Sequence, residues 1–166
     1  MLTGTHNNAP REFDRAGCAL VEDVLRGART VRVRAQGSSM IPAIWPGDVL
    51  EIEPAGPASM TEGQIAVFIR DGRLFAHRIV QVGARELTTR GDSLLRCDAP
   101  LTSAELLGRV TFAMRGGRRI FLERAPEGAM RFISAALRSS NLLRRLVVGL
   151  HARIRRAQFA MRKALA

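Results

Sequence analysis

Ser39 closes the run Gly37-Ser38-Ser39 and is followed at once by Met40-Ile41-Pro42. A serine that follows small residues, just beyond a strand-like segment, can sit on an exposed turn with free amides around it. Its hydroxyl is a weak nucleophile until a base takes the proton. That base must be a histidine, a lysine or a carboxylate within hydrogen-bond reach. The only lysine is Lys163 and the only histidines are His6, His77 and His151, so His77 is the one imidazole in the body of the chain. A third group would have to hold the ring in the right tautomer. Asp92, in Arg90-Gly91-Asp92-Ser93, and Asp98 both lie in the loop after the next strand-like run, and either carboxylate could serve. Taken singly, Ser39 is an ordinary turn residue, His77 a satisfied strand histidine, and each aspartate a turn carboxylate. Their order along one chain is what carries the chemistry.

The elements that must position these groups can be read from periodicity. Phe13, Gly17, Leu20, Val21, Val24 and Leu25 recur at three- and four-residue steps, which predicts a helix from Pro10 to about Arg26 with Gly27 as its stop. From Thr30 the period becomes two: Val31, Val33 and Ala35 alternate with Arg32, Arg34 and Gln36. Further strand-like runs are residues 48–53 (DVLEIE), 64–70 (QIAVFIR), 73–82 (RLFAHRIVQV), 85–89, 107–115 and 118–123. Asp71-Gly72 predicts one hairpin and Gly116-Gly117 a second. Asp48, after Pro46-Gly47, is expected to bond neighbouring amides, and Met40 and Pro42 to shape the turn and line a substrate groove. The chain thus divides into a leader and N-terminal helix over 1–29, a β body over 30–124 and a helical tail over 129–166. In the tail, Leu143, Val147, Leu150, Ile154, Ala157, Met161 and Leu165 form an apolar stripe opposite a cluster of arginines.

Charge separates the same parts. The net charge is +11; residues 129–166 hold eight Arg, one Lys and no acid, and residues 1–128 hold 17 bases against 15 acids, so +9 lies in the tail and +2 in the body. The tail can pack on the β body, lie on an anionic membrane surface or bind nucleic acid. Its aromatics are only Phe132 and Phe159, which disfavours base stacking and leaves a membrane surface or a partner as the expected target. Cys18 and Cys97 form no metal-ligand or disulfide framework, which disfavours a redox or structural-metal protein, and no cofactor is expected. No apolar run approaches the roughly 18–20 residues a bilayer requires. Residues 1–15 lack the apolar segment of a secretory signal, which makes the cytoplasm, or the membrane surface facing it, the expected location.

Five boxes in fixed order give these residues a family context: Ser39-Met40-Ile41-Pro42, Gly47-Asp48, residues 63–68 (GQIAVF), His77-Arg78-Ile79-Val80, and Arg90-Gly91-Asp92 with Asp98 six residues on. Residues 107–110 (LGRV) follow as a closing strand. This pattern resembles the signal peptidase I family, in the branch that pairs serine with histidine. The resemblance implies a mainly β peptidase core of the kind shared with LexA-type self-cleaving repressors. It implies Ser39 as nucleophile, His77 as general base, Asp92 as the group that orients His77 and Asp98 as a supporting carboxylate. Signal peptidases carry a hydroxyl two residues before the nucleophile, where this chain has Gly37. The Gly37-Ser38-Ser39-Met40 arrangement looks more like the repressors, in which backbone amides do that work. The expected activity is a serine endopeptidase cutting an extended peptide or protein segment beside small residues. The alternatives are self-cleavage, with Ala16-Gly17 and Ala55-Gly56 as candidate bonds, and a non-catalytic binding module held at an anionic surface by the tail.

Overall fold

A computed structural model describes residues 12–122 and residue 149 of the chain. The leader before residue 12 and the expected tail, apart from residue 149, lie outside the described residues. Helix α1 (Glu12–Arg26) is followed by seven strands: β1 (Val31–Arg34), β2 (Val49–Pro54), β3 (Ile65–Arg70), β4 (Arg73–Val82), β5 (Leu87–Arg90), β6 (Leu106–Arg115) and β7 (Arg118–Phe121). All strand pairings are antiparallel, in the order β1-β2-β6-β3-β4-β5, with β7 added to β6. This is the mainly β architecture with an N-terminal helix that the periodicity predicts.

Local chemistry accounts for the elements. Asp71 (φ 52°) and Gly72 (φ 68°) are both left-handed, as are Gly116 (φ 57°) and Gly117 (φ 85°). Two consecutive residues at positive φ match the twist of a two-residue hairpin, so β3–β4 and β6–β7 close tightly. Helix α1 ends at Arg26, and Gly27 follows it as the expected stop. Gly27 still donates to Asp23 as a helical residue (2.9 Å), and the left-handed residue is Ala28, at φ 55°. The amides of Ala28 and Arg29 return to the carbonyls of Leu25 (3.1 Å) and Val24 (3.2 Å), which satisfies the last turn.

The period of two sorts side chains onto two faces. Ile65, Val67, Leu74 and Ala76 join Leu50, Ile52, Val110 and Ala113 in one core, which Val21 and Leu25 of α1 cover together with Met40 and Ile44. Ala66, Phe68, Phe75 and Ile79 point the other way into a second cluster with Met60, Leu87, Leu101 and Leu106. His77 shares this second face: it pairs with Ala66 across β3–β4, and its ring lies 6.0 Å from that of Phe68 and 5.8 Å from that of Phe75. No helix among the described residues is long and apolar enough to cross a membrane.

Candidate active site

Ser39 is carried by the loop between β1 and β2. The loop is closed at its base by three backbone bonds: Ala35 to Asp48 (2.8 Å), Gly47 to Ala35 (2.6 Å) and Asp48 to Trp45 (3.0 Å). Asp48 is buried; it accepts from the Trp45 amide (2.8 Å) and from Arg115 (2.7 Å), whose guanidinium also holds the Ala43 carbonyl (2.9 Å). The structural role expected of Asp48 is therefore what it performs. Beyond Ser39 the chain dives inward: Met40, Ile41, Ala43 and Ile44 are all buried, and the Ile44 amide bonds the Met40 carbonyl at 2.9 Å. Pro42 is buried as well, and its carbonyl accepts from the Trp45 indole at 2.8 Å. Met40 and Pro42 thus anchor the loop from within instead of lining an open groove. Gly37 is exposed, and Ser38 and Ser39 are half-buried. Among the described residues, the amides of Gly37, Ser38 and Ser39 have no hydrogen-bond acceptor.

On the facing side, β4 presents His77, only 4 % exposed. Its Nε2 lies 3.0 Å from the Ser39 hydroxyl and its Nδ1 lies 2.7 Å from Oδ2 of Asp98. Asp98 is held by β5: its amide donates to the Thr89 carbonyl (2.8 Å), and the Thr89 hydroxyl donates to its Oδ2 (2.7 Å). Burial alone would push the Asp98 carboxyl up. The hydrogen bonds from His77 and Thr89, with the nearby positive charge of Arg70, outweigh burial and hold it below its ordinary value. An ionised carboxylate only accepts hydrogen bonds, so Nδ1 of His77 donates to it, and in the neutral form of the ring the Nε2 lone pair faces the Ser39 hydroxyl.

Asp92 is not on His77. It forms a two-pronged ion pair with Arg78, with Nε to Oδ1 at 2.8 Å and Nη2 to Oδ2 at 2.7 Å, and both side chains are 7 % exposed. Arg78 also holds the Gly63 carbonyl at 2.7 Å. The physical reason is strand alternation: His77 and Arg78 are consecutive in β4 and point to opposite faces, so a carboxylate that meets one is turned away from the other. The expected roles of the two aspartates are therefore exchanged in position, with Asp98 on the imidazole and Asp92 on a buried cation.

One contributor escaped the sequence reading. The Ser93 amide donates to the Ser39 carbonyl (2.9 Å), and its hydroxyl lies 2.9 Å from the Ser38 carbonyl and 3.0 Å from that of Ser39. Gly91, two residues earlier, is packed so closely that an added Cβ would stand 2.7 Å from the Ser39 carbonyl. The Gly91-Asp92-Ser93 turn therefore grips the serine loop from outside, and its closeness to Asp98 in the chain was the available hint. Among the described residues no cluster of His, Cys, Asp and Glu could hold a metal ion, and Cys18 and Cys97 are free thiols. The assembled chemistry is a hydroxyl, an imidazole and a carboxylate in line, with unpaired amides beside the hydroxyl.

A family model described as Peptidase S24-like matches residues 4–110 of the chain. No curated protein matches it.

Proposed function

The chain belongs to the Peptidase S24-like family, and from that premise we propose that it is a serine endopeptidase working through Ser39, His77 and Asp98. Its antiparallel β core with one N-terminal helix is consistent with the fold shared by LexA-like and signal peptidase-like proteins. The observation that carries the reading is the pair of distances at His77, 3.0 Å to the Ser39 hydroxyl and 2.7 Å to Asp98. Ser39 Oγ attacks the carbonyl carbon of a peptide bond while its proton passes to Nε2 of His77. Asp98 stabilises the imidazolium that results. The negative oxygen of the tetrahedral intermediate is met by amides next to Ser39, which are free to donate where Gly37 supplies no hydroxyl. His77 then returns the proton to the leaving amine. Water, deprotonated in turn by His77, releases the acyl group. By its likeness to signal peptidases, the substrate is an extended peptide with small residues beside the cut.

A second reading, self-cleavage, has one specific support. Ala16-Gly17 lies inside α1, where a helical backbone cannot enter a protease site as a strand. Ala55-Gly56 instead follows β2, and Gly56 is exposed with an extended backbone (φ −90°, ψ 164°). A mass spectrum of purified protein showing a cut between Ala55 and Gly56, absent in Ser39→Ala, would support this reading. An intact chain under all conditions removes it.

The peptidase reading is tested with a fluorophosphonate probe, which forms a Ser39 Oγ–phosphorus bond as fluoride leaves and the serine proton passes to the base. The expected result is a single adduct on Ser39 in the wild type, lost in Ser39→Ala and in His77→Ala. Undiminished labelling in either variant overturns the proposal.

A further inference from the structure

Asp98 sits in the long connection between β5 and β6, and a loop carboxylate is useful to His77 only if the loop is fixed. On its N-terminal side Thr89 provides that anchor. On its C-terminal side the chain runs through exposed Ala99 and Pro100, and there one side chain from another strand takes hold. Arg70, the last residue of β3, donates from Nη1 to the Ala99 carbonyl and from Nη2 to the Pro100 carbonyl, both at 3.0 Å. Its own position is set by Glu105, with Nε to Oε1 at 2.6 Å and Nη2 to Oε2 at 3.1 Å, and by the Phe68 ring, 5.5 Å below the guanidinium. Glu105 is fixed in turn by the Thr102 amide and hydroxyl, both at 3.0 Å. The Ile69 amide also bonds the Glu105 carbonyl at 3.0 Å.

We propose that Arg70 is a positioning residue for the active site: it clamps the loop that presents Asp98 and so sets how well Asp98 orients His77. The inference rests on the Ser39–His77–Asp98 reading above. A planar fork with five donors can hold two successive carbonyls and a carboxylate at once, which a point charge cannot. The same guanidinium places positive charge near Asp98 and favours its ionised form.

The competing view is that Arg70 merely staples the surface. The two are separated by measuring fluorophosphonate labelling rates, with melting temperatures alongside, for wild type, Arg70→Gln, Asp98→Asn and the double variant. If Arg70 acts through Asp98, Arg70→Gln slows labelling by about tenfold in the wild-type background, the effect of losing charge-assisted hydrogen bonds. In the Asp98→Asn background the same change costs less than about twofold, because coupled residues are not additive. Equal factors in the two backgrounds, or no slowing at all, overturn the proposal. Should Arg70→Gln fail to fold, Arg70→Lys, which keeps the charge and loses the fork, is put through the same cycle with the same criteria. The underlying site reading fails in a different way, by undiminished labelling of His77→Ala or of Asp98→Asn.

Discussion

Asp98 and Asp92 stand six residues apart in one loop, yet they serve adjacent residues of β4 from opposite faces: Asp98 meets His77 at 2.7 Å and Asp92 meets Arg78 at 2.7 Å. Their substitutions should therefore separate activity from stability. Asp98→Asn keeps a similar shape but favours the wrong imidazole tautomer, and is expected to lower peptidase or labelling rates by about 10³–10⁴ with a smaller loss of stability than Asp92→Asn. Asp92→Asn leaves a buried guanidinium without its counter-charge, and should cost about 3–5 kcal/mol of stability while the protein that remains folded still labels. Urea unfolding and labelling rates on the same two variants decide it. A stable, inactive Asp92→Asn with an active Asp98→Asn would reverse the assignment.

That contrast also marks how far the sequence could be read. Strand positions follow from hydrophobic alternation, and both hairpins from Asp71-Gly72 and Gly116-Gly117, because these signals are local. His77 as the candidate base follows by elimination, since no lysine precedes Lys163, whereas Ser39 as the candidate nucleophile rests on the resemblance carried by the five ordered boxes. The choice between Asp92 and Asp98 is not local. Loop residues have no period, and which face each carboxylate reaches depends on how β5 and the following loop wrap the sheet. A clue was nonetheless present at Arg78: a cation beside an inward-facing histidine, in a strand buried on both faces, requires an acid of its own. The end of α1 at Arg26 was legible from Gly27, but the left-handed residue of its cap was not. Glycine tolerates positive φ at low cost, but Gly27 is retained by a helical hydrogen bond and the reversal falls on Ala28.

Ser93 should act on the nucleophile without touching substrate. Its hydroxyl is shared between the Ser38 and Ser39 carbonyls, and the residue is 2 % exposed. Ser93→Ala removes this bond but keeps the backbone one from its amide to Ser39. A loss of about 1 kcal/mol in stability is expected from the missing hydrogen bond. Because a loosened serine departs from its attack geometry, turnover should fall further than that stability change explains, with KM nearly unchanged. Steady-state kinetics on a cleavable peptide check this. Wild-type turnover in a measurably destabilised Ser93→Ala would show that the grip on the loop is structural alone.

The clamp beneath Asp98 also predicts an acid response. Hydrogen bonds from Arg70, then from Thr102, lower the Glu105 carboxyl from its ordinary 4.5 to about 2. A carboxyl depressed in the folded state contributes its stability above the unfolded value, and that contribution is lost as pH falls through the folded one. The window is therefore from about pH 4.5 down to about 2. Asp98, also lowered, adds to the loss in the same direction. In Glu105→Gln the group no longer titrates, so the variant should be less stable than wild type at neutral pH and should lose less stability on acidification. Urea unfolding between pH 6 and pH 3 reads this directly. The expected result is two stability curves that converge as the pH drops. Parallel curves would mean that the Arg70–Glu105 pair contributes nothing that depends on the charge of Glu105.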